Sequence, residues 1–258
     1  MIDSTFSANA FKTAGLKVRV DGDVIEVSLG PALRRRKASI SLTAFQEAAG
    51  STDPVAIASV TRGVYAALNT PLRREHEEPI SFVDAAAVIS PSLEGPRFAQ
   101  GVALAGGRAP YLLPFLDGMD RVYLIERDMG YHLLSLDDVA RWGVHPERIE
   151  KAAASILYHR TGYWNEPDVI DVGGISVTTY KIGDGFDGAR ATILEELDFH
   201  RWLKGFHFAV PDSDTLWIAT DELEVGSLRA AVEKAFGEAD APLSPHVYAV
   251  QDRKITRA

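Results

Sequence analysis

The sequence contains no cysteine. Disulfide bonds, thiolate nucleophiles, iron–sulfur clusters and cysteine-based zinc sites are therefore excluded. Long apolar runs are also missing, since the longest, Phe82–Ile89, contains Asp84 and is far too short to cross a bilayer. The first fifteen residues hold no apolar segment after a basic patch, so they do not indicate a secretory signal. From these absences we expect a cytoplasmic protein.

Basic residues are fewer than acidic residues. The 258 residues include 27 Lys and Arg against 36 Asp and Glu, so the formal net charge is −9. Nucleic acids and anionic membranes are bound through basic surfaces, and neither is expected as a partner of this chain. Hydrophobic residues make up 46% and charged residues 24%, which indicates a globular protein with a sizeable core rather than a disordered chain.

Antiparallel hairpins are the recurrent pattern along the chain. In four places, two short apolar segments flank a polar turn rich in aspartate. The pairs are Val18–Val20 with Val24–Val27, Val122–Ile125 with Tyr131–Leu134, Phe206–Val210 with Leu216–Ala219, and Val247–Val250 with Lys254–Thr256. Such hairpins favour antiparallel sheets over the parallel sheet of a doubly wound fold.

Helices are predicted between the hairpins. Asp53 followed by Pro54 is typical of a helix start, because aspartate accepts hydrogen bonds from the first turn and proline suits the first helical position. Further helices are predicted for Ser135–Trp142, from Pro146 onward, for Ala189–Leu203 and after Ser227.

The domain organisation follows from these elements. The stretch from Thr70 to Gly107 is rich in proline, glycine and charge, and is expected to be a poorly regular connector. We therefore predict an α+β fold of antiparallel hairpins with packed helices in two lobes. The N-terminal lobe covers residues 1–75, the connector 76–108 and the C-terminal lobe 109–258.

One segment matches a dinucleotide-binding pattern. Gly183–Gly188 fits G-x-G-x-x-G and follows a predicted strand, Ile175–Ile182. However, Asp184 and Asp187 within it would repel a pyrophosphate, and the next strand turns back in a hairpin instead of continuing a βαβ unit. We interpret the glycines as a tight turn with aspartate capping, and no cofactor is predicted.

A second segment is similar to an aspartyl phosphatase pattern. Asp212 and Asp214 follow an apolar strand, but the pattern requires a threonine two residues after the second aspartate, and Thr215 directly follows it. A polar hairpin turn is the favoured interpretation, because aspartate side chains readily hydrogen-bond to the turn backbone. Neither a Walker A loop nor a G-x-S-x-G elbow is present in the sequence.

Metal binding would depend on histidine and carboxylates. No pair of histidines has the H-x-H or H-E-x-x-H spacing, so no metal site is predicted, although ligands distant in sequence can still converge in space. The histidines are His76, His132, His145, His159, His200, His207 and His246.

The densest basic run is Arg34–Lys37. It would suit contact with phosphate or with an acidic protein. The favoured alternative is a solvated edge whose charges keep the surrounding chain soluble, because the whole protein is acidic.

Four segments resemble the uncharacterised bacterial YtpQ family. They are Leu133–Gly143, Asp184–Leu194, Val210–Leu216 and Pro242–Tyr248, and the resemblance covers most of residues 110–258. The family has no established activity, so the resemblance implies no mechanism. Where the family often has arginine before the hairpin aspartate, this chain has Ser213.

The expected function is a non-catalytic binding or accessory module that acts through a protein partner, with its oligomeric state left open. The alternative is an enzyme of unfamiliar type, or a small-ligand sensor that uses a carboxylate-rich cleft between the lobes. For that alternative the candidate catalytic acids are Asp187, Asp212 and Asp214, and Arg190 is the candidate anion-binding residue.

Overall fold

The structure, a computed structural model, describes residues 4–30, 36–70, 79–127, 130–162, 167–219 and 225–258. The helices within these ranges are α1 Ser4–Thr13, α2 Leu42–Ala49, α3 Pro54–Asn69, α4 Phe82–Ala86, α5 Phe98–Leu104, α6 Leu136–Trp142, α7 Pro146–Thr161, α8 Leu194–Leu197, α9 Phe199–Lys204 and α10 Val225–Glu238, with a 3₁₀ helix at Gly188–Ile193. The strands are β1 Lys17–Asp21, β2 Val24–Leu29, β3 Arg36–Ser41, β4 Ile89–Glu94, β5 Leu112–Pro114, β6 Asp120–Arg127, β7 Gly130–Leu133, β8 Asp168–Asp171, β9 Ser176–Thr179, β10 Phe206–Ala209, β11 Trp217–Ala219, β12 Val247–Gln251 and β13 Lys254–Arg257.

The chain forms two compact units. The first contains residues Met1–Ile89 and Glu94–Ile149, and the second contains Ser90–Leu93 and Glu150–Ala258. Helices pack on antiparallel sheets, so the predicted α+β class is confirmed.

A three-stranded antiparallel sheet, in the order β1-β2-β3, opens the first unit. The first predicted hairpin is confirmed, with Asp21 opposite Val24 across the turn and Gly22 in the left-handed conformation that such turns need. Ile25 and Val27 alternate with exposed residues on β2 and are fully buried. They pack with apolar residues of α1, α2 and α3 in one hydrophobic core.

Helix α3 contributes to two cores in the first unit. As expected, Asp53 caps its N-terminus, where the carboxylate accepts a hydrogen bond from the backbone N–H of Val55 at 3.3 Å. One side of α3, including Val60 and Val64, lies in the core under the β1-β2-β3 sheet. Ala66 and Ala67 instead pack with α5 and with strands β5, β6 and β7.

The crossing of α3 and α5 requires glycine on both helices. A Cβ atom on Gly63 would lie well under 3.0 Å from the Phe98 carbonyl oxygen, and one on Gly101 would lie equally close to the Val60 carbonyl oxygen. Both obstacles are backbone atoms, which no side-chain rotation can move away. The two helix backbones are therefore in direct contact, a geometry that only small residues allow.

The predicted hairpin of β6 and β7 is confirmed in the second sheet of this unit, with Leu124 opposite Leu133 and Arg127 opposite Gly130. In this sheet β6 pairs with both β5 and β7, and both pairings are antiparallel. Ser135 then caps α6, as expected.

Residues 79–107 differ from the expectation of a poorly regular connector. They hold α4, the fully buried β4 and α5, whereas residues 71–78 lie outside the described residues. The polar composition of β4 conceals its burial. Glu94, for example, is buried because its carboxylate accepts two hydrogen bonds of 2.7 Å from the Arg62 guanidinium.

The second unit is built on an antiparallel sheet with the order β13-β12-β10-β11-β9-β8. The last two predicted hairpins are confirmed as β10 with β11 and β12 with β13. Leu228 and Val232 of α10 pack against Ala209, Trp217 and Val247 on one face. On the strands, Phe208 and Tyr248 alternate with these residues, and their rings lie 5.3 Å apart.

The prediction of one continuous helix over Ala189–Leu203 was wrong. The segment is divided into the 3₁₀ helix, α8 and α9. Asp198 explains the last break, since its backbone is not helical and its carboxylate accepts a hydrogen bond from the N–H of Arg201 at 3.0 Å. It thus starts a new helix as an N-cap residue.

Across the ranges that the structure describes, no helix is both long enough and apolar enough to span a membrane.

The contact between α3 and α5 predicts an intolerant position. We expect Gly63→Ala to lower the free energy of unfolding by about 1–3 kcal/mol or more, because the added methyl group forces the two helix backbones apart. Gly237→Ala in α10 is the matched control, as nothing lies within 4 Å of its added Cβ. There we expect a gain of about 0.5–1 kcal/mol from helix propensity. Urea unfolding measures both, and equal stability of the two variants would contradict the tight crossing.

Candidate anion-binding site

A cavity of about 500 Å³ lies within the first unit. This is within the range of roughly 300–1,000 Å³ that is typical of small-molecule sites. The C-terminal ends of α3 and α5 form one wall, with Ala67, Leu68, Val102 and Ala105. Leu133 of β7 and Ile80 before α4 add further apolar surface.

Gly107 allows the cavity wall to close on these helices. A Cβ atom at this position would lie 2.6 Å from a methyl group of Val102 and 2.9 Å from the Cβ of Ala67. The chain after α5 therefore lies flat against both helix ends. The tight crossing at Gly63 and Gly101 thus sets the position of this whole wall.

Positive charge dominates the lining. The cations come from four parts of the fold and are Arg36 and Lys37 of β3, Arg108 after α5, Arg127 of β6, and Arg141 of α6. Among the described lining residues the carboxylate is that of Asp138, and His132 also faces the cavity. Five cations and one carboxylate give a formal charge of +4 with histidine neutral, in a chain whose net charge is −9.

Arg36 is anchored at the end of α3. Its guanidinium donates to the carbonyl oxygens of Leu68, at 2.8 Å, and Thr70. These carbonyls lie at the C-terminus of the helix, where the partial negative charge favours a cation. Burial lowers the pKa of the Arg36 guanidinium, yet an arginine remains charged at any ordinary pH.

Two exposed cations of the cavity, Lys37 and Arg108, have side chains that make no hydrogen bond or ion pair within the part of the chain that the structure describes. A ligand could therefore bind these side chains without breaking a bond to any described residue.

Asp138 organises the opposite wall. Its carboxylate accepts hydrogen bonds from the Ser135 hydroxyl at 2.6 Å and from Arg141 at 2.8 Å, and it lies 3.3 Å from Nε2 of His132. Ser135 in turn accepts from the N–H of Asp138, so the pair forms a capping box at the start of α6. Burial alone would raise the pKa of Asp138, but the hydrogen bonds from His132, Ser135 and Arg141 outweigh it and hold the pKa far below its usual range.

Ile80 is held in the cavity wall through its carbonyl oxygen. That oxygen accepts hydrogen bonds from Nε1 of Trp142 at 2.9 Å and from Arg141 at 3.4 Å. The neighbouring Phe82 packs edge-on against Trp142 at 5.6 Å, and Arg148 lies over its ring at 5.0 Å. Helix α6 thus fixes both a cation and an apolar wall residue.

The candidate residues Asp187 and Arg190 lie together in the second unit. Arg190 is completely buried, and its guanidinium donates to Thr161, Asp184 and Asp187 at 2.8–3.0 Å. Asp187 also accepts from the N–H groups of Ile182 and Gly183. The G-x-G-x-x-G segment is therefore a loop closed on a buried arginine, and the predicted strand before it is shorter, ending at Thr179.

The pKa of Asp184 reflects this arrangement. Burial opposes ionisation of its carboxyl group, but the hydrogen bonds and charge of Arg190 outweigh burial and lower the pKa. Two carboxylates already bind the guanidinium, so its hydrogen bonds are explained by contacts within the protein. A role for Arg190 in binding a ligand anion stays a prediction.

Asp212 and Asp214 lie in the turn between β10 and β11. The Asp212 carboxylate accepts from the N–H of Asp214 at 2.8 Å and from the Thr215 hydroxyl at 3.1 Å, the bonding expected of a polar turn. Asp214 is exposed. The turn lies beside Asp187, because the N–H of Gly188 donates to the Ser213 carbonyl at 3.0 Å. A catalytic role for these aspartates stays a prediction.

Most of the cavity has no signal in the sequence. The exception is the basic run Arg34–Lys37, of which Arg36 and Lys37 line the cavity, while residues 34 and 35 lie outside the described residues. The remaining cations are isolated in sequence and meet only in the folded chain. Among the described residues, no group of three histidine or acidic side chains has a geometry suited to a metal ion.

No family model, no curated protein and no solved structure matches this chain. The resemblance to the YtpQ family therefore stays a prediction.

A first prediction concerns the buried arginine. We expect Arg190→Met to lower the free energy of unfolding by about 3–5 kcal/mol, because it leaves the carboxylates of Asp184 and Asp187 without their cation. Arg229→Met on the exposed face of α10 is the control, with an expected change within about 0.5 kcal/mol. Chemical unfolding provides the measurement. Wild-type stability of the Arg190 variant would contradict the structural role and favour the predicted anion-binding role.

A second prediction concerns acid pH. The folded-state pKa of Asp138 is below its unfolded value of about 3.9, so its stabilising contribution is complete above that pH and is lost as the pH falls further. At pH 7 we expect Asp138→Asn to destabilise the protein by about 1.5–3 kcal/mol. The difference from wild type should shrink below about pH 4, in unfolding curves recorded at several pH values.

The neighbouring Asp137 is the matched control for this experiment, because it is exposed on the same turn of α6. Asp137→Asn should leave stability nearly unchanged at every pH. A pH-independent difference between Asp138→Asn and wild type would show that the charge of Asp138 does not stabilise the fold.

Proposed function

We propose that this protein is a non-catalytic binding module that senses a small, multiply charged anion in the cavity of its first unit. The observation that carries the proposal is the formal charge of +4 on the described lining residues of a cavity of about 500 Å³, in a protein of charge −9. Uncompensated cations in a concave, partly apolar site favour an anion that replaces water around them. This proposal takes up the small-ligand sensor expected as an alternative from the sequence, and locates its site among cations instead of carboxylates.

The residue types suit anion recognition. Four of the five cations are arginines, whose planar guanidinium groups bind carboxylate or phosphate through paired hydrogen bonds. Arg36 and Arg141 are already oriented by bonds to the chain, Arg36 at the end of α3 and Arg141 to Asp138 and Ile80. Such pre-positioned groups lose little freedom when a ligand binds.

A protein partner remains part of this proposal. A sensor that catalyses no reaction transmits its signal through a change in its affinity for another protein. Binding of the ligand would therefore control binding of the protein partner expected from the sequence. The first unit would then be the input, because the cavity is built from its elements alone.

One observation favours a second candidate, an enzyme that acts on the bound anion. His132 faces the cavity and is oriented by the Asp138 carboxylate at 3.3 Å, an arrangement that general bases often have. This candidate corresponds to the enzyme expected as an alternative from the sequence, but its proposed base is His132 instead of Asp187, Asp212 or Asp214. Conversion of a bound anion to a product would favour it over the sensor.

The test is calorimetric titration at low ionic strength with two probes, citrate and inorganic pyrophosphate. We expect at least one to bind wild-type protein. Arg108→Glu should weaken that binding roughly 10- to 100-fold, because it removes a charge-assisted hydrogen bond and adds a repulsive charge. Arg108 is a suitable position, since it makes no hydrogen bond or ion pair within the described residues and its substitution should not unfold the protein.

The control is Arg229→Glu, which changes the net charge by the same amount on the exposed face of α10. It should bind as the wild type does, and both variants should keep the wild-type melting temperature. Equal weakening by the two variants would indicate a general charge effect and would contradict a site in the cavity, as would failure of both probes to bind.

A further inference from the structure

The amount of charge in the cavity restricts the chemistry of the ligand beyond the statement that it is an anion. The described lining residues carry a formal charge of +4 with histidine counted as neutral. A monocarboxylate would offset one of these charges and leave the rest facing each other across a partly enclosed space. A phosphate group carries about −1.5 to −2 at neutral pH and presents three acceptor oxygens, so two such groups come close to neutrality.

Arrangement supports the same conclusion. The lining cations are attached to separate elements of the fold. Arg36 and Lys37 lie at the start of β3, where Arg36 is bound to the end of α3, whereas Arg141 lies on α6 and is bound to Asp138. Both sets offer several N–H donors, which match the several oxygens of a phosphate group.

Part of the cavity lining is apolar. Leu68 and Ala67 at the end of α3, Val102 of α5 and Leu133 of β7 line the cavity along with the cations. A ligand without apolar groups would leave this apolar surface exposed to water, whereas a short aliphatic skeleton between two anionic groups would bury it.

We infer that the ligand is a small molecule that carries two phosphate-class groups on a short aliphatic skeleton. This inference rests on the proposed function, because it names the ligand class of the same cavity. It adds that charge per group, and not merely anionic character, decides which molecules bind.

The experiment compares probes that share a skeleton and differ in their charged groups. Methylenebisphosphonate and malonate both have one carbon between two acidic groups, and methylphosphonate has a single phosphate-class group. Titration calorimetry at constant ionic strength gives the dissociation constant of each with wild-type protein, Arg108→Glu and Arg229→Glu. We expect the bisphosphonate to bind at least about tenfold more tightly than either of the other probes.

The two substitutions show whether this preference belongs to the cavity. Arg108→Glu should reduce the bisphosphonate affinity roughly 10- to 100-fold and should narrow its advantage over malonate, because one of the cations that favour the higher charge is replaced by an anion. Arg229→Glu should leave both the affinity and the preference unchanged.

The outcomes separate the inference from the proposed function. If malonate or citrate binds as tightly as the bisphosphonate and Arg108→Glu weakens it, the phosphate-class ligand is overturned and the anion-binding function stands. If methylphosphonate binds as tightly as the bisphosphonate, the requirement for two groups is overturned. If no probe binds with a dissociation constant below about 1 mM, both the inference and the proposed function fall.

Discussion

The backbone contact between α3 and α5 is the constraint on which the first unit depends. Gly63 and Gly101 allow the two helices to touch without intervening side chains, so each helix has its position set by the other. Since α3 also contributes to the core under the β1-β2-β3 sheet, the contact links that sheet to the one formed by β5, β6 and β7. The C-terminal ends of the same two helices form the cavity wall, so the packing of the unit and the shape of its candidate site are set together.

Two clusters of charge in this protein show how a structural arginine differs from a candidate binding arginine. Around Arg190, every guanidinium nitrogen donates to an oxygen of Thr161, Asp184 or Asp187, and the group is completely buried. A ligand would have to displace those carboxylates. Among the described residues that line the cavity of the first unit, the cations outnumber the carboxylates, and the Arg108 side chain makes no hydrogen bond or ion pair within the described residues. Unbalanced charge, not the presence of arginine itself, therefore makes the second cluster the candidate site.

The sequence predicted what local rules determine. Hairpins with aspartate turns and the caps at Asp53 and Ser135 depend on residues within a few positions of each other, and the structure contains them. The buried strand β4 was not predicted, because the burial of Glu94 depends on its ion pair with Arg62, which is distant in the sequence. The cavity was not predicted for the same reason, since its cations are spread from residue 36 to residue 141 over several elements. Only the fold of the first unit brings them together.

The contrast between an acidic protein and a basic cavity also determines how the site would select its ligand. A net charge of −9 repels anions at long range, so the protein as a whole does not concentrate them. At physiological ionic strength this repulsion is screened beyond about 8 Å, whereas contacts inside the cavity are screened much less. Under the proposed function, an anion would gain attraction only once it had entered the cavity and met several cations at once. The repulsion outside grows with the charge of the anion, so it opposes a highly charged ligand more than a weakly charged one. Selection of a compact ligand of high charge would therefore depend on the excess positive charge of the described lining residues, which must outweigh that repulsion.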